Sequence, residues 1–105
     1  TEYFALEGLA LLSGTIREVR SLLNERLGVD GVLLTMHSQT LLNKQVAGEV
    51  LHNFPDLVVR PAIRRNVRLA EAPSYGIPIH LHDPSSPGGK DYQDIATELQ
   101  HRWSL

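Results

Sequence analysis

"VDGVLLTM", residues 29 to 36, decides the fold class. It is a short apolar run behind a turn signal, and its length suits a strand better than a helix. Because no polar residue alternates through "VLLTM", the run predicts a strand buried on both faces, as in a parallel sheet covered by helices. Upstream, Leu6, Leu9, Leu12, Ile16, Val19, Leu23 and Leu27 recur at three- and four-residue steps. That spacing predicts an amphipathic helix from Tyr3 to Leu27, ended by Gly28. Glu2, Glu7, Glu18 and Glu25 fall along it, where a solvated face is the default for acidic residues. Downstream, Leu42, Val46, Val50, Leu51 and Phe54 predict a second helix stopped by Pro55. "LVVRPAI", residues 57 to 63, predicts a second strand, with Pro61 marking a strand end or an edge. Residues 64 to 87 carry Pro73, Gly76, Pro78, Pro84 and Pro87, a loop composition with room for one short helical turn. Tyr92, Ile95, Ala96, Leu99 and Trp103 then predict a last helix.

Helix, strand, helix, strand, loop, helix is an α/β pattern, and strands joined through a helix are parallel with a right-handed crossover. Two strands make a poor sheet, so the missing partners are expected upstream of Thr1 or on another copy of the chain. Residues 1–105 therefore read as one segment, the C-terminal part of an open parallel sheet flanked by helices. A chain of 105 residues buries roughly 65% of its unfolded surface, enough for one core. With 42% hydrophobic and 21% charged residues the composition is globular rather than disordered. The net charge of −2 means that any nucleic-acid contact must come from a local patch. The sequence has no cysteine, which excludes disulfides, thiolate metal sites and cysteine nucleophiles and fits a reducing compartment. No apolar run approaches the ~18 residues of a membrane span, and no signal-peptide pattern is present, so a cytosolic chain without a membrane partner is expected.

Three polar stretches are candidates for chemistry. "SSPGGKDYQDI", residues 85 to 95, brings two glycines and a lysine to the mouth of a helix, but a Walker loop needs a hydroxyl after the lysine. Asp91 stands there instead, and Pro84 occupies the position of the first motif glycine. The stretch reads as a turn launching the last helix, with Asp91 near the positive end of its dipole. "RPAIRRNVRL" places Arg60, Arg64, Arg65 and Arg68 within nine residues, directly after a strand, where ligands bind in open α/β sheets. If residues 64 to 68 form a helical turn, Arg64, Arg65 and Arg68 share one face suited to phosphate oxygens; equally, they can pair with carboxylates such as Glu71. "HLHD" offers His80, His82 and Asp83, which would project to one side if extended, and His37 lies at a strand end, but no full ligand set is evident and no metal is expected. Ser38 and Ser74 lack a nucleophile-elbow setting, and no self-contained catalytic site is assembled.

"EYFALEGL" at residues 2 to 9, "GVLLTM" at 31 to 36 and "RNVRLAEAPSYGIPI" at 65 to 79 resemble the ParA/Soj chromosome- and plasmid-partitioning ATPases, the deviant-Walker P-loop family related to MinD. The blocks keep the family's order and spacing across essentially the whole chain. The resemblance implies the C-terminal portion of a P-loop NTPase-like fold, since the family's Walker A lysines, switch residues and catalytic aspartate precede the first block. It implies an ATPase that uses ATP and Mg, dimerises, coats double-stranded DNA nonspecifically and answers to a ParB-type partner, in the cytoplasm at the nucleoid. This chain alone is expected neither to hydrolyse ATP nor to bind it tightly. By the same resemblance Thr35, Met36, Arg65 and Asn66 correspond to the adenine pocket, and Arg68 to a DNA-contacting arginine. Two departures stand out. Gln39 falls where a second DNA-contacting arginine is expected, so that charge is missing or supplied by Lys44. Arg64 replaces a proline, adding charge beside the adenine loop. The alternative reading is a non-enzymatic DNA-binding or protein-interaction module.

Overall fold

The computed structural model describes Thr1 and residues 3–104. Glu2, assigned above to the first helix, lies outside the described residues. The elements run α1 (Tyr3–Leu22), β1 (Val32–Leu33), α2 (Leu41–Asn53), β2 (Val58–Val59), α3 (Val67–Tyr75), α4 (Ile79–His82) and α5 (Pro87–Trp103). The two strands pair in parallel, Val32 with Val58 and Leu33 with Val59. This is the expected α/β class, with α2 as the crossover that parallel strands require. None of the described helices is long and apolar enough to cross a membrane.

α1 is shorter than its periodicity predicts. The amides of Leu23 and Asn24 both donate to the Val19 carbonyl, and the Asn24 side chain accepts from the Arg26 amide, an Asx turn that competes with continued helix. α2 begins where Thr40 caps it, its hydroxyl accepting from the Asn43 amide at 3.2 Å. Residues 29 to 36 do not form a strand buried on both faces. Only Val32 and Leu33 enter the ladder, and Leu33 is half exposed, because one flank of β1 meets no further strand among the described residues. β2 is buried at both positions, and Val59 joins Ile63 and Ile95 in a core extended by Leu69 and Leu99.

The largest departure lies in residues 64 to 87, which hold two helices rather than a loop with one turn. The prolines punctuate these helices instead of dissolving them. Pro73 sits late in α3, which ends at Gly76 in the left-handed conformation, φ 66°, the geometry of a glycine C-cap. Pro78 precedes α4, and Pro87 is the first residue of α5, where a missing N–H costs nothing. Ser86 caps α5, accepting from the Gly89 amide at 3.0 Å while donating to the Asp83 carbonyl at 2.7 Å.

The paired glycines of "SSPGGKD" thus lie inside the first turn of α5. A Cβ on Gly88 would sit 2.4 Å from Leu69 Cγ, and one on Gly89 would sit 2.7 Å from the Asp83 carbonyl oxygen. Their requirement is close approach of α5 to α3 and to the preceding turn. Gly48, inside α2, has no such neighbour within 4 Å. Gly89→Ala is expected to cost about 1–3 kcal/mol through overpacking, whereas Gly48→Ala should gain about 0.5–1 kcal/mol from helix propensity. Urea denaturation of both variants checks this, and midpoints shifted in the same direction would contradict the packing account.

Candidate functional site

Beyond β1 and β2 the two chains stay side by side. The Ile63 amide donates to the Leu34 carbonyl at 2.7 Å, the His37 amide to the Ile63 carbonyl at 2.9 Å, and the Arg65 amide to the His37 carbonyl at 2.8 Å. His37 and Arg64 form a further parallel bridge, offset by 27 residues against 26 in the strands, so the second chain carries one extra residue. Met36, opposite this step, adopts φ 52°, a left-handed conformation that costs a non-glycine residue about 1–2 kcal/mol. The register step lies at the carboxyl ends of the strands, where ligands bind in open α/β sheets.

A cleft of about 420 Å³ opens at this point, between Thr35 and Met36 on one side and residues 63–66 on the other. Leu69 and Ala70 of α3 and Tyr92 of α5 complete it. All four residues that the resemblance ties to a base, Thr35, Met36, Arg65 and Asn66, line it. Asn66 precedes α3 in extended conformation, yet its side chain makes no capping bond. Its carboxamide oxygen is buried without a hydrogen-bond partner. Turning that amide to meet a donor in the cleft therefore forfeits no existing bond, and the unsatisfied acceptor favours such a donor. Apolar walls with a few convergent polar groups suit a small organic ligand. A larger groove of about 490 Å³ beside β2, lined by Leu34, Leu51, Val58 and Pro61 with Arg60, has fewer polar groups to orient a ligand.

The arginines do not share one helical face, because residues 64–66 are extended and α3 starts only at Val67. Arg64 turns to α5. Asp91 Oδ2 accepts from both the Arg64 amide and Nε at 2.9 Å, and Oδ1 accepts from Nη2 at 2.9 Å. The Asp91 side chain is 7% exposed and that of Arg64 52%. The hydrogen bond from the Arg64 side chain holds the Asp91 carboxyl below its ordinary range, against the opposing effect of burial, and the Arg64 guanidinium is correspondingly raised. Asp91 lies in the second turn of α5, so this contact, rather than the helix dipole at the first turn, accounts for its place.

Arg68 reaches Glu71 at 3.1 Å and Asp83 at 3.3 Å. Glu71 also accepts from His82 Nε2 at 3.2 Å, and the bonds from His82 and Arg68 hold its carboxyl below the usual value. "HLHD" is helical in α4, not extended, so His80 and His82 point apart. His82 stacks on Tyr75, ring centroids 4.9 Å apart, while His80 is exposed. No cluster of three metal-ligating side chains occurs among the described residues. His37 instead meets the Thr1 hydroxyl through Nδ1 at 2.8 Å. Gln39 and Lys44 are exposed on either side of the Thr40 cap, on the stretch that follows the His37–Arg64 bridge.

Asp91 and Tyr92 were not legible as site residues. Asp91 read as a helix-dipole partner and Tyr92 as a core position, and the only hint was a charged residue, Arg64, directly behind an apolar strand.

A carboxylate whose folded value lies below its unfolded one adds stability that is complete above the unfolded value and is lost as pH falls through the folded one. Asp91→Asn should therefore be less stable than the parent chain at pH 7, with the gap narrowing below about pH 4. Urea midpoints measured from pH 7 to pH 2 test this, and a pH-independent gap would assign the loss to packing.

The chain is 52% identical over 99 residues to the sporulation initiation inhibitor protein Soj of Bacillus subtilis (strain 168), covering 93% of this chain and 39% of that protein. It is 48% identical over 102 residues to the chromosome-partitioning ATPase Soj of Thermus thermophilus, covering 96% and 41%. Its identity to the chromosome partitioning protein ParA of Caulobacter vibrioides is 46% over 102 residues, covering 96% and 38%. The chain thus spans about two fifths of the length of these curated relatives. No protein-family model matches it.

Proposed function

By homology across nearly its whole length this chain belongs to the Soj/ParA family of chromosome-partitioning proteins, and on that premise we propose that it is the C-terminal segment of a DNA-partition ATPase. In this reading it supplies the adenine side of a P-loop NTPase-like site and part of a nonspecific DNA-binding surface. The observation that carries it is the convergence of Thr35, Met36, Arg65 and Asn66 on one cleft, with an unsatisfied acceptor on Asn66.

An adenine ring lies between the Met36 and Tyr92 sides of the cleft, its polar edge toward Asn66 and the backbone of residues 35–36. Phosphate and Mg ligands, and the groups that direct water at the γ-phosphate, belong to the larger part of the ATPase. ATP bound across both parts supplies the hydrolysable phosphoanhydride; residues 1–105 orient its base. Cytoplasmic location at the nucleoid, dimerisation and a ParB-type partner follow from the same reading. The exposed leucines of α1, Leu11, Leu12 and Leu22, also support the second reading, a non-enzymatic module that docks on DNA or on another protein.

For DNA the proposed contacts are Arg68 and Lys44, with Arg64 and Gln39 at the margins. Arg68 shares its charge with Glu71 and Asp83, and Arg64 with Asp91, so phosphates compete with carboxylates and binding is expected to be weak and salt-sensitive. Titrating duplexes of unrelated sequence across a salt series should show Arg68→Ala weakening all of them alike. The slope of log affinity against log salt should fall by about 0.9. Loss confined to one sequence would remove Arg68 from the phosphate backbone. In parallel, adenosine added to the isotope-labelled chain should shift the amide resonances of residues 35–36 and 65–66, and shifts elsewhere would move the base to another site.

A further inference from the structure

In an extended segment successive amides point to opposite edges. The Ile63 and Arg65 amides both turn toward the continuation of β1, reaching Leu34 and His37. The Arg64 amide between them faces the other way, toward an edge with no strand among the described residues. There the Asp91 carboxylate receives it at 2.9 Å and also grips the same residue's guanidinium through two further contacts of 2.9 Å. A charge-assisted, two-pronged contact fixes direction as well as distance. It also joins the two walls of the cleft. Arg64 is followed by Arg65 and Asn66 on one wall, and Asp91 is followed by Tyr92 on the other. A proline at position 64 would have no amide hydrogen to offer, and the two further contacts need a guanidinium, so the full clamp depends on the arginine found here.

We propose that Asp91 is a positioning residue of the base cleft: by holding the backbone and side chain of Arg64 it sets the spacing between the Arg65–Asn66 wall and Tyr92, and so the fit of a planar base. The inference rests on the adenine reading of the cleft and adds to it a residue on α5 outside the shared sequence blocks. Asp91 itself stays off the base. Its effect passes through Arg64.

The experiment titrates adenosine against the isotope-labelled 105-residue chain and its Asp91→Asn, Arg64→Ala and Arg64→Lys variants, with thermal midpoints recorded on the same samples. Asp91→Asn preserves volume but loses the charge, and it should bind adenosine about fivefold more weakly or worse. Arg64→Ala keeps the backbone bond and loses the guanidinium; it should show a smaller loss, and Arg64→Lys should recover most of it. A lowered midpoint with parental adenosine affinity in Asp91→Asn would make Asp91 an anchor of α5 only and overturn the proposal. If Asp91→Asn does not fold, parental affinity in Arg64→Ala overturns it equally. Absence of any adenosine response in the parent chain would instead sink the adenine reading, and the proposal with it.

Discussion

Everything in this chain hangs on two extended stretches that run side by side in the same direction. A parallel pair cannot be closed by a tight turn, so the polypeptide must travel back through a crossover, and α2 is that crossover. Parallel direction also brings both carboxyl ends to the same edge. Residues 35–37 and 63–66 therefore emerge together, still hydrogen-bonded through His37, with the register stepped by one residue beside Met36 in its left-handed conformation. The cleft is the geometric consequence of a ladder that continues while its register slips. Were the pairing antiparallel, the same residues would leave the sheet at opposite ends.

Charge is distributed by this geometry in a way that composition conceals. Four arginines in nine residues look like a cationic stripe. In the fold, Arg64 is taken by a nearly buried carboxylate on α5, and Arg68 is shared between Glu71 and Asp83. Two of the four arginines thus have local carboxylate partners that an anionic ligand must displace. Exposed ion pairs contribute little to stability, whereas the nearly buried Asp91 carboxylate, held by three hydrogen bonds, ties α5 to the end of the second strand. α5 in turn lies close to α3 at Gly88 and to the preceding turn at Gly89, so the cleft wall, the clamp and the glycine pair are parts of one packing arrangement.

Membership in the Soj/ParA family gives this arrangement its context. The relatives are about two and a half times as long, and leucines along α1 stand exposed in this chain. The Arg64–Asp91 clamp occupies an edge amide that a proline would lack.

Much of this was written in the residues themselves. Period-3.6 leucines in α1 and α2, unbroken apolar runs at the strands, and Ile95 and Leu99 on α5 carry their own structural instruction, because hydrophobic spacing is a local signal. The resemblance blocks likewise pointed to Thr35, Met36, Arg65 and Asn66. What local reading could not supply was the outcome of competition between signals. An Asx turn at Asn24 overrides the leucine periodicity, and within residues 64 to 87 Pro73 sits inside α3, Pro78 just before α4 and Pro87 at the start of α5. Nor could it pair Arg64 with Asp91, since a contact across 27 residues has no periodicity. The sequence by itself determined the α/β class, the helix–strand–helix–strand order up to β2, the last helix and the family, all properties of short-range pattern. Only the tertiary structure decided that the four base-contact candidates face one cleft and that its wall is held from α5, because both depend on which edge of a strand each amide faces once the chains have met.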